Sequence, residues 1–470
     1  MLETLRASGA GLLAQAGEQA AAEAALAGYA LRAAQEAAAG LETTAGEAAA
    51  ARRLDAEDTT MRQVLAWAVE HDAVTALQLA LALAPWWSLR GREAGQYPLL
   101  RESAGYAAPG SERWCTAQFW LGYMAIDSDD QVGAHGHFTA VIDAMRGRRP
   151  CPAVAYCLAG RTLALLNLGR VFEAGDDARR SLAVAREVGC PAGEAAALAV
   201  LSLAAVHAGD PGRAVQLARQ AGQIPGDIGG WIARLRSACL TIALTEAGDL
   251  AAARRACVAG LAGARAAGHQ GALAESLNRM AMLDLRAARA EDAAACLREA
   301  LQIADRAEMP LAVDNALNGC GYLCAATGRH LEAVTVWAAA DAFWKEFAGA
   351  PAEARRRHEA LREARQALGS ARTRAAEERG TAMSRPAATG YALMLTLPDR
   401  PAAAPGPGPL SARERELVTL VAQGRTDAQI AAELYISIRT VRSHLDRIRD
   451  KTGCRRRADL TRLALAEGLV

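Results

Sequence analysis

Lysine is almost missing from this chain. Of 53 Lys+Arg in 470 residues, only Lys345 and Lys451 are lysine, and neither follows a glycine pair in the G-x-x-x-x-G-K-[ST] spacing that cradles nucleotide phosphates. The sequence therefore offers no visible means of holding ATP. Aromatic residues are scarce as well, at 4%. The hydrophobic share of 52% is largely alanine, the best helix former, and no long alternating run of β-branched residues competes with it. The expected class is all-α. No stretch of 18 apolar residues exists, because the most apolar run, Ala73 to Trp87, is interrupted by Thr75 and Gln78. The N-terminus lacks the basic and apolar regions of a secretory signal, so the expectation is a soluble, cytoplasmic protein.

The ten cysteines stand singly, without framework spacing. Cys320 and Cys324 are four apart, which stacks them on one helix face and does not make a C-x-x-C site. Small buried residues are the expected role. The histidines do not cluster at metal spacing; His135 and His137, two apart, point away from each other on a helix. No nucleophile–base constellation is legible, and no acidic cluster of a receiver domain opens the chain. We expect neither an enzyme, nor a cofactor, nor a metal.

What the chain has is order at two scales. From about 111 to 350 a repeat runs with a period of 40 residues, once 39. Its markers are Asp129, Gly169, Gly209, Gly248, Ala288 and Gly328, and an alanine stands five residues after each: Ala134, Ala174, Ala214, Ala253, Ala293 and Ala333. Each unit reads as a helix, a tight turn, and a second helix whose small residue permits close packing. One such pair cannot bury its apolar face alone, so neighbours must stack into a solenoid. An earlier pair around Gly91, from Leu65 to Ser103, is expected to start the array. The tryptophans 67, 86, 87, 114, 120, 231, 337 and 344 are expected as packing between repeats, with groove contacts to a ligand as the alternative.

The second order is local and lies at the C-terminus. Ser411 with Glu414, and Thr426 with Gln429, are capping boxes, and Ser437 is a third N-cap. They predict helices over about 412–423, ending at Gly424, over 427–434 with Ile430, Ala431 and Leu434 inward, and over 438–452. In the last, Ile438, Val441, Leu445 and Ile448 recur at spacings of three and four and should face inward. Two short helices joined by a tight turn, the second one basic, form a helix-turn-helix. Residues 410–470 carry 12 Lys+Arg against 8 Asp+Glu, a net of +4, whereas the rest has 41 against 44, a net of −3. The expected DNA-binding residues are Arg439, Thr440, Arg442, Ser443, Asp446, Arg447 and Arg449, since guanidinium groups suit both phosphates and the guanine edge. Two roles are open to Asp446: a pair with Arg442 at i,i+4 that moderates phosphate affinity, or acceptance from a cytosine amine.

The run LSxRExELVxLVAxGxTDxxIAxxLxISxRTVRxHLxxIxxKTG, followed by Arg457, resembles the DNA-binding domain of LuxR-family bacterial transcriptional regulators. That resemblance implies a four-helix domain that binds double-stranded DNA as a homodimer with its third helix in the major groove. Arg442 falls on the family's basic position after Thr-Val. Asp427 stands where the family usually has Asn, Thr452 replaces a core Leu, and Arg456 replaces the usual N-cap of the fourth helix. Upstream, the 40-residue hairpins resemble the tetratricopeptide-like arrays of bacterial STAND regulators, and Arg53–Trp67 and Trp86–Gly91 resemble segments that follow the ATPase and winged-helix domains of such proteins.

The expected organisation is a helical segment over 1–60, a repeat array over 61–350, a charged helix over 351–380, a Pro/Gly-rich linker over 381–409, and the helix-turn-helix domain over 410–470. The linker holds two Pro-Gly steps, with Tyr391 to Leu397 as a short docked segment. The expected function is sequence-specific transcription regulation, with the array binding a protein or small-molecule effector, oligomerising, or sensing a signal. Two alternatives stand beside it: the C-terminal part of a longer ATP-dependent STAND regulator, and an interaction scaffold whose last domain serves assembly.

Overall fold

The computed structural model describes residues 2–343, 351–397, 410–434, 436–452, 454 and 456–470, with the side chains of residues 2–7, 10, 93, 94, 439, 443 and 450 outside the description. Among the described residues every regular element is an α-helix. The chain forms two compact units, 1–381 and 382–470, and each is described by itself.

In the first unit the repeat markers are the turns between paired helices, and all six have left-handed backbone. Their φ values are 65° at Asp129, 75° at Gly169, 80° at Gly209, 83° at Gly248, 57° at Ala288 and 72° at Gly328. Glycine adopts this conformation without a Cβ penalty, which is why four of the six markers are glycine. The backbone then closes the first helix in a Schellman pattern. The residue after the marker donates back across six residues, as in Asp130 N–H to Ala125 O at 2.8 Å and Asp210 N–H to Ala205 O at 2.9 Å. That same residue caps the next helix where it is aspartate: Asp130, Asp210 and Asp249 accept from the backbone N–H three residues on. The alanines five residues after each marker are fully buried.

A second set of turns, half a repeat away, escaped the sequence reading. Gly189, Gly268 and Glu308 are also left-handed and close the second helix of a pair in the same way. Glu308 hides this register because it carries a side chain where the others have none.

Two positions in each pair are buried at a fixed distance from the marker, and in two of the pairs a ring is matched by a glycine. The buried residue nine after the marker and the buried residue seven before it run Phe138 with Gly122, Ala178 with Thr162, Ala218 with Ser202, Cys257 with Thr241, Leu297 with Ala281, and Trp337 with Gly321. Where the first position holds a ring, at Phe138 and Trp337, the second is glycine, and elsewhere both positions hold small or mid-sized residues except for Leu297 with Ala281. A Cβ added at Gly122 would sit 2.6 Å from the Phe138 ring, and one at Gly160, in the following repeat, 2.5 Å from it. The ring therefore lies between two glycines, and the helices approach closely enough to enclose it.

The N-terminal helix Gln19–Leu41 packs against its neighbours in sequence, whereas the turn that follows it and the helix Glu47–Ala56 reach the middle of the array. Buried Glu47 accepts both Arg234 Nη1 and Nη2, at 2.6 and 2.9 Å, and Asp227 accepts from the Thr44 N–H at 3.0 Å. Arg90 donates to the carbonyls of Ala267 and Gly268, and also pairs with Asp55. A charge this buried is retained only with its partner, so loss of Arg234 would strand Glu47. Trp86, Trp87 and Trp337 are buried, while Trp67, Trp114, Trp120 and Trp231 are half-buried; Trp344 lies outside the described residues.

Two expectations change in the C-terminal part. The charged stretch 351–380 is not one helix: Gly369 at φ 74° separates Pro351–Leu368 from Ser370–Thr381. Ala364 and Ala376 of this hairpin pack with Val334 of the last repeat. Within 381–409, Ser384 caps a helix over Arg385–Leu395, with Pro386 in its first turn where no N–H is needed. Tyr391 and Ala392 are buried, and residues 398–409 lie outside the described ones.

Several histidines of the array are held neutral by burial. His207 is pulled down to about 4, and buried His269 well below its usual range, with Arg234 and Arg90 adding to the effect of burial. His269 Nδ1 accepts the Ala272 N–H as a helix cap, which requires an unprotonated nitrogen there. A base with a depressed pKa stabilises the fold above its unfolded value of about 6.5, and that stability is lost as pH falls toward the folded value. For His207 alone the expected loss between pH 7 and pH 5 is about 2 kcal/mol. Urea midpoints measured across this range should fall, and His207→Leu should flatten part of the slope. An unchanged slope in the variant would show that His207 is solvated.

Candidate nucleic-acid interface

The second unit starts with the capping boxes read from the sequence. Ser411 accepts from Glu414 N–H while Glu414 accepts from Ser411 N–H at 2.7 Å, and Thr426 and Gln429 repeat the exchange. The Glu414 carboxyl is pulled down to about 2, first by the Ser411 N–H and then by Lys451 at 2.9 Å. Lys451 sits on the last turn of a later helix, so one carboxylate caps the first helix and anchors the third. The first helix, Ala412–Ala422, is followed by Gly424 at φ 79°, and Arg425 N–H closes it on Leu420 O. The second, Asp427–Glu433, buries Ile430 and Ala431, with Leu434 partly buried just after it.

Ser437 caps the third helix, Ile438–Thr452, by accepting from Thr440 N–H at 3.1 Å. Val441, Leu445 and Ile448 are fully buried against the first, second and fourth helices. Ile438 is not: it is 43% exposed. It occupies the first helical position, beyond the rim of this small core, and Ile436 of the preceding turn packs against the core instead.

With three anchors fixing the helix rotation, the residues one step on turn outward. Arg442 is 70% exposed and Asp446 and Arg447 are exposed, while Arg449 is half-buried. Thr440 is half-buried, its hydroxyl 2.8 Å from Ser437 Oγ. The Arg439 and Ser443 side chains lie outside the described ones. The i,i+4 pair of Arg442 with Asp446 does not form. Asp446 accepts from Arg449 at 2.8 Å, an i,i+3 contact, and Arg442 Nε lies 3.4 Å from Asp427 Oδ2 on the second helix. The cause is the rotation that buries Val441 and Leu445, which leaves Arg442 leaning toward the second helix.

The fourth helix, Arg457–Ala466, buries Leu460 and Ala464. It lacks a capping side chain at Arg456, and Asp459 compensates by accepting the Arg456 N–H at 2.8 Å. Arg457 donates to Asp427 and to the carbonyl of Arg425, which ties the start of this helix to the start of the second. The sequence contained Arg457 but no sign of this contact, which spans 30 residues.

Residues 408–464 match the family of bacterial regulatory proteins, luxR family. The C-terminal domain is a LuxR-type helix-turn-helix. Among curated relatives, the "Probable transcriptional regulatory protein NarL" of Mycobacterium tuberculosis H37Rv is 41% identical over 71 residues, 15% of this chain and 33% of NarL. The spore germination protein GerE of Bacillus subtilis is 43% identical over 49 residues, 10% of this chain and 66% of GerE. The chain thus matches about a third of the length of NarL. Among solved structures, the Rap conjugation gene regulator of plasmid pLS20, in complex with the Phr* peptide, is 15% identical with a TM-score of 0.46, covering 64% of this chain and 79% of that one. A STAND protein with a tetratricopeptide repeat sensor from Pyrococcus horikoshii is 15% identical with a TM-score of 0.37, covering 67% and 44%.

Proposed function

We propose that this protein is a cytoplasmic, DNA-binding transcriptional regulator that engages duplex DNA through the helix Ile438–Thr452. The observation that carries this reading is the anchoring of Val441, Leu445 and Ile448 in the core, which turns Arg442 and Arg447 outward on a domain of net positive charge. A helix docked in the major groove needs such a rigid, basic outer face. Arg439, Thr440, Arg442, Ser443, Asp446, Arg447 and Arg449 form the proposed contact set, and two copies on a two-fold site would present it twice. A domain serving assembly alone has no use for exposed arginines on this helix.

The array supplies the regulatory surface in this reading. Five half-buried aromatics, Phe119, Trp120, Tyr123, Tyr156 and Trp231, meet with ring centroids 5.2–6.4 Å apart. Partly exposed rings in an array otherwise poor in aromatics are the contact points a protein partner or small-molecule effector would use.

The test is a fluorescence-anisotropy titration of the full chain on duplex DNA at several salt concentrations. If each bound domain neutralises about four to six phosphates, the log–log slope per domain is expected to be about −4 to −5. A slope near zero would refute the electrostatic basis of the reading.

A further inference from the structure

Asp427 occupies an unusual place on this surface. It is the first residue of the second helix, immediately after the cap Thr426, and its side chain is 26% exposed. One of its oxygens faces Arg442 Nε of the third helix at 3.4 Å, and the other accepts from Arg457 Nη1 of the fourth. Arg457 is itself held by the Arg425 carbonyl. Three helices therefore meet at one carboxylate, with a cation on each side of it. Arg457 has two fixed contacts, whereas Arg442 has one long contact and is 70% exposed.

We propose that Asp427 is a positioning residue of the DNA-binding face: anchored through Arg457, it sets the direction from which the Arg442 guanidinium approaches DNA. The inference rests on the reading of this face as a DNA-binding surface. Arg442 is the mobile partner: its contact to Asp427 is weak enough to yield to a base edge, and the direction it leaves from is set. Arg457, held more tightly, stays at the junction of the second and fourth helices and fixes the carboxylate there. The carboxylate also has a cost. A negative charge among these cations lowers attraction to any phosphate, so it favours selectivity over affinity.

The roles separate in a variant series on the full chain, using a pool of random 20-base-pair duplexes as the probe. Sequence preference is read by sequencing the bound fraction, and general affinity by titration of the unselected pool. Asp427→Ala is expected to raise affinity for the pool about two- to fivefold, the size of an exposed ion pair, and to steepen the salt slope. It should also broaden the selected sequences, because Arg442 is released to any orientation. Asp427→Glu, which keeps the charge, should restore much of the preference. Arg442→Ala and Asp427→Ala together should select no more broadly than Arg442→Ala alone. Thermal melting of each variant identifies a loss of fold, and Asp427→Asn keeps the side-chain shape where Asp427→Ala unfolds the domain. If the wild-type chain selects a sequence and Asp427→Ala and Asp427→Asn select it equally well with unchanged pool affinity, the positioning role is overturned while DNA binding stands. If the wild-type chain binds no duplex at any salt concentration, both readings fall.

Discussion

Phe138→Ala is expected to destabilise the array by about 3–5 kcal/mol, the range for removing a large buried aromatic. The side chain is fully buried and joins a core with Val141, Ile142, Cys157 and Leu158. Gly122 and Gly160 are the reason the cost lies at the high end. They bring two helix backbones against the ring, and backbones cannot relax into the space as flexible side chains would. The equivalent positions of the next repeat supply a control. Ala178 is matched with Thr162 in the next repeat, so Gly122→Thr added to Phe138→Ala recreates a combination this chain already uses. Gly122→Thr alone would drive its Cβ into the ring and should destabilise the wild-type chain. Urea unfolding followed by circular dichroism distinguishes the cases. A loss under about 1 kcal/mol for Phe138→Ala, or no recovery in the double variant, would show that the ring and the glycine are not coupled.

The parts of this fold that the sequence revealed are those in which a local conformation demands a residue type. Left-handed turns select glycine, so four of the six markers identified themselves, and the near-constant spacing carried Asp129 and Ala288 along. Capping boxes need a hydroxyl and a carboxamide or carboxylate three residues apart, so the starts at Ser411 and Thr426 were legible to the residue. What stayed hidden depends on contacts between residues distant in sequence. Nothing local to Glu47 announces Arg234, and nothing near Asp427 announces Arg457. Periodicity also overreached at its ends. Ile438 continues the apolar spacing of Val441 and Leu445, but the core of a domain this small stops one turn short of it. Arg442 and Asp446 have the spacing of a helical ion pair, yet spacing says only that two residues share a face. A competing partner on either side, Asp427 for one and Arg449 for the other, was sufficient to separate them. In the stretch 381–409, prolines marked a linker, but the first of them, Pro386, stands where a helix tolerates proline.

Arg442→Ala is expected to weaken binding to a selected duplex by about 1–3 kcal/mol if the side chain reads a base, with relaxed preference at one base pair. Val441 is fully buried, so its neighbour is directed outward by a backbone with no freedom to rotate. The side chain spends nothing on the core, and its one contact, to Asp427 at 3.4 Å, is weak and exposed. Binding therefore releases little that must be replaced. If the contact is instead to phosphate, binding should weaken about equally on all sequences and the magnitude of the salt slope should fall by about one. Asp446 gives the opposite sign. It holds Arg449 at 2.8 Å and places a carboxylate on the outer face, so Asp446→Ala should leave affinity equal or tighter by freeing a cation and removing an anion. Both variants are measured on a selected and on a random duplex. Unchanged affinity of Arg442→Ala on both would mean that the third helix does not enter the groove. Loss of affinity in Asp446→Ala, confined to the selected duplex, would place Asp446 itself on a cytosine amine, the one donor that a C·G pair presents in the major groove.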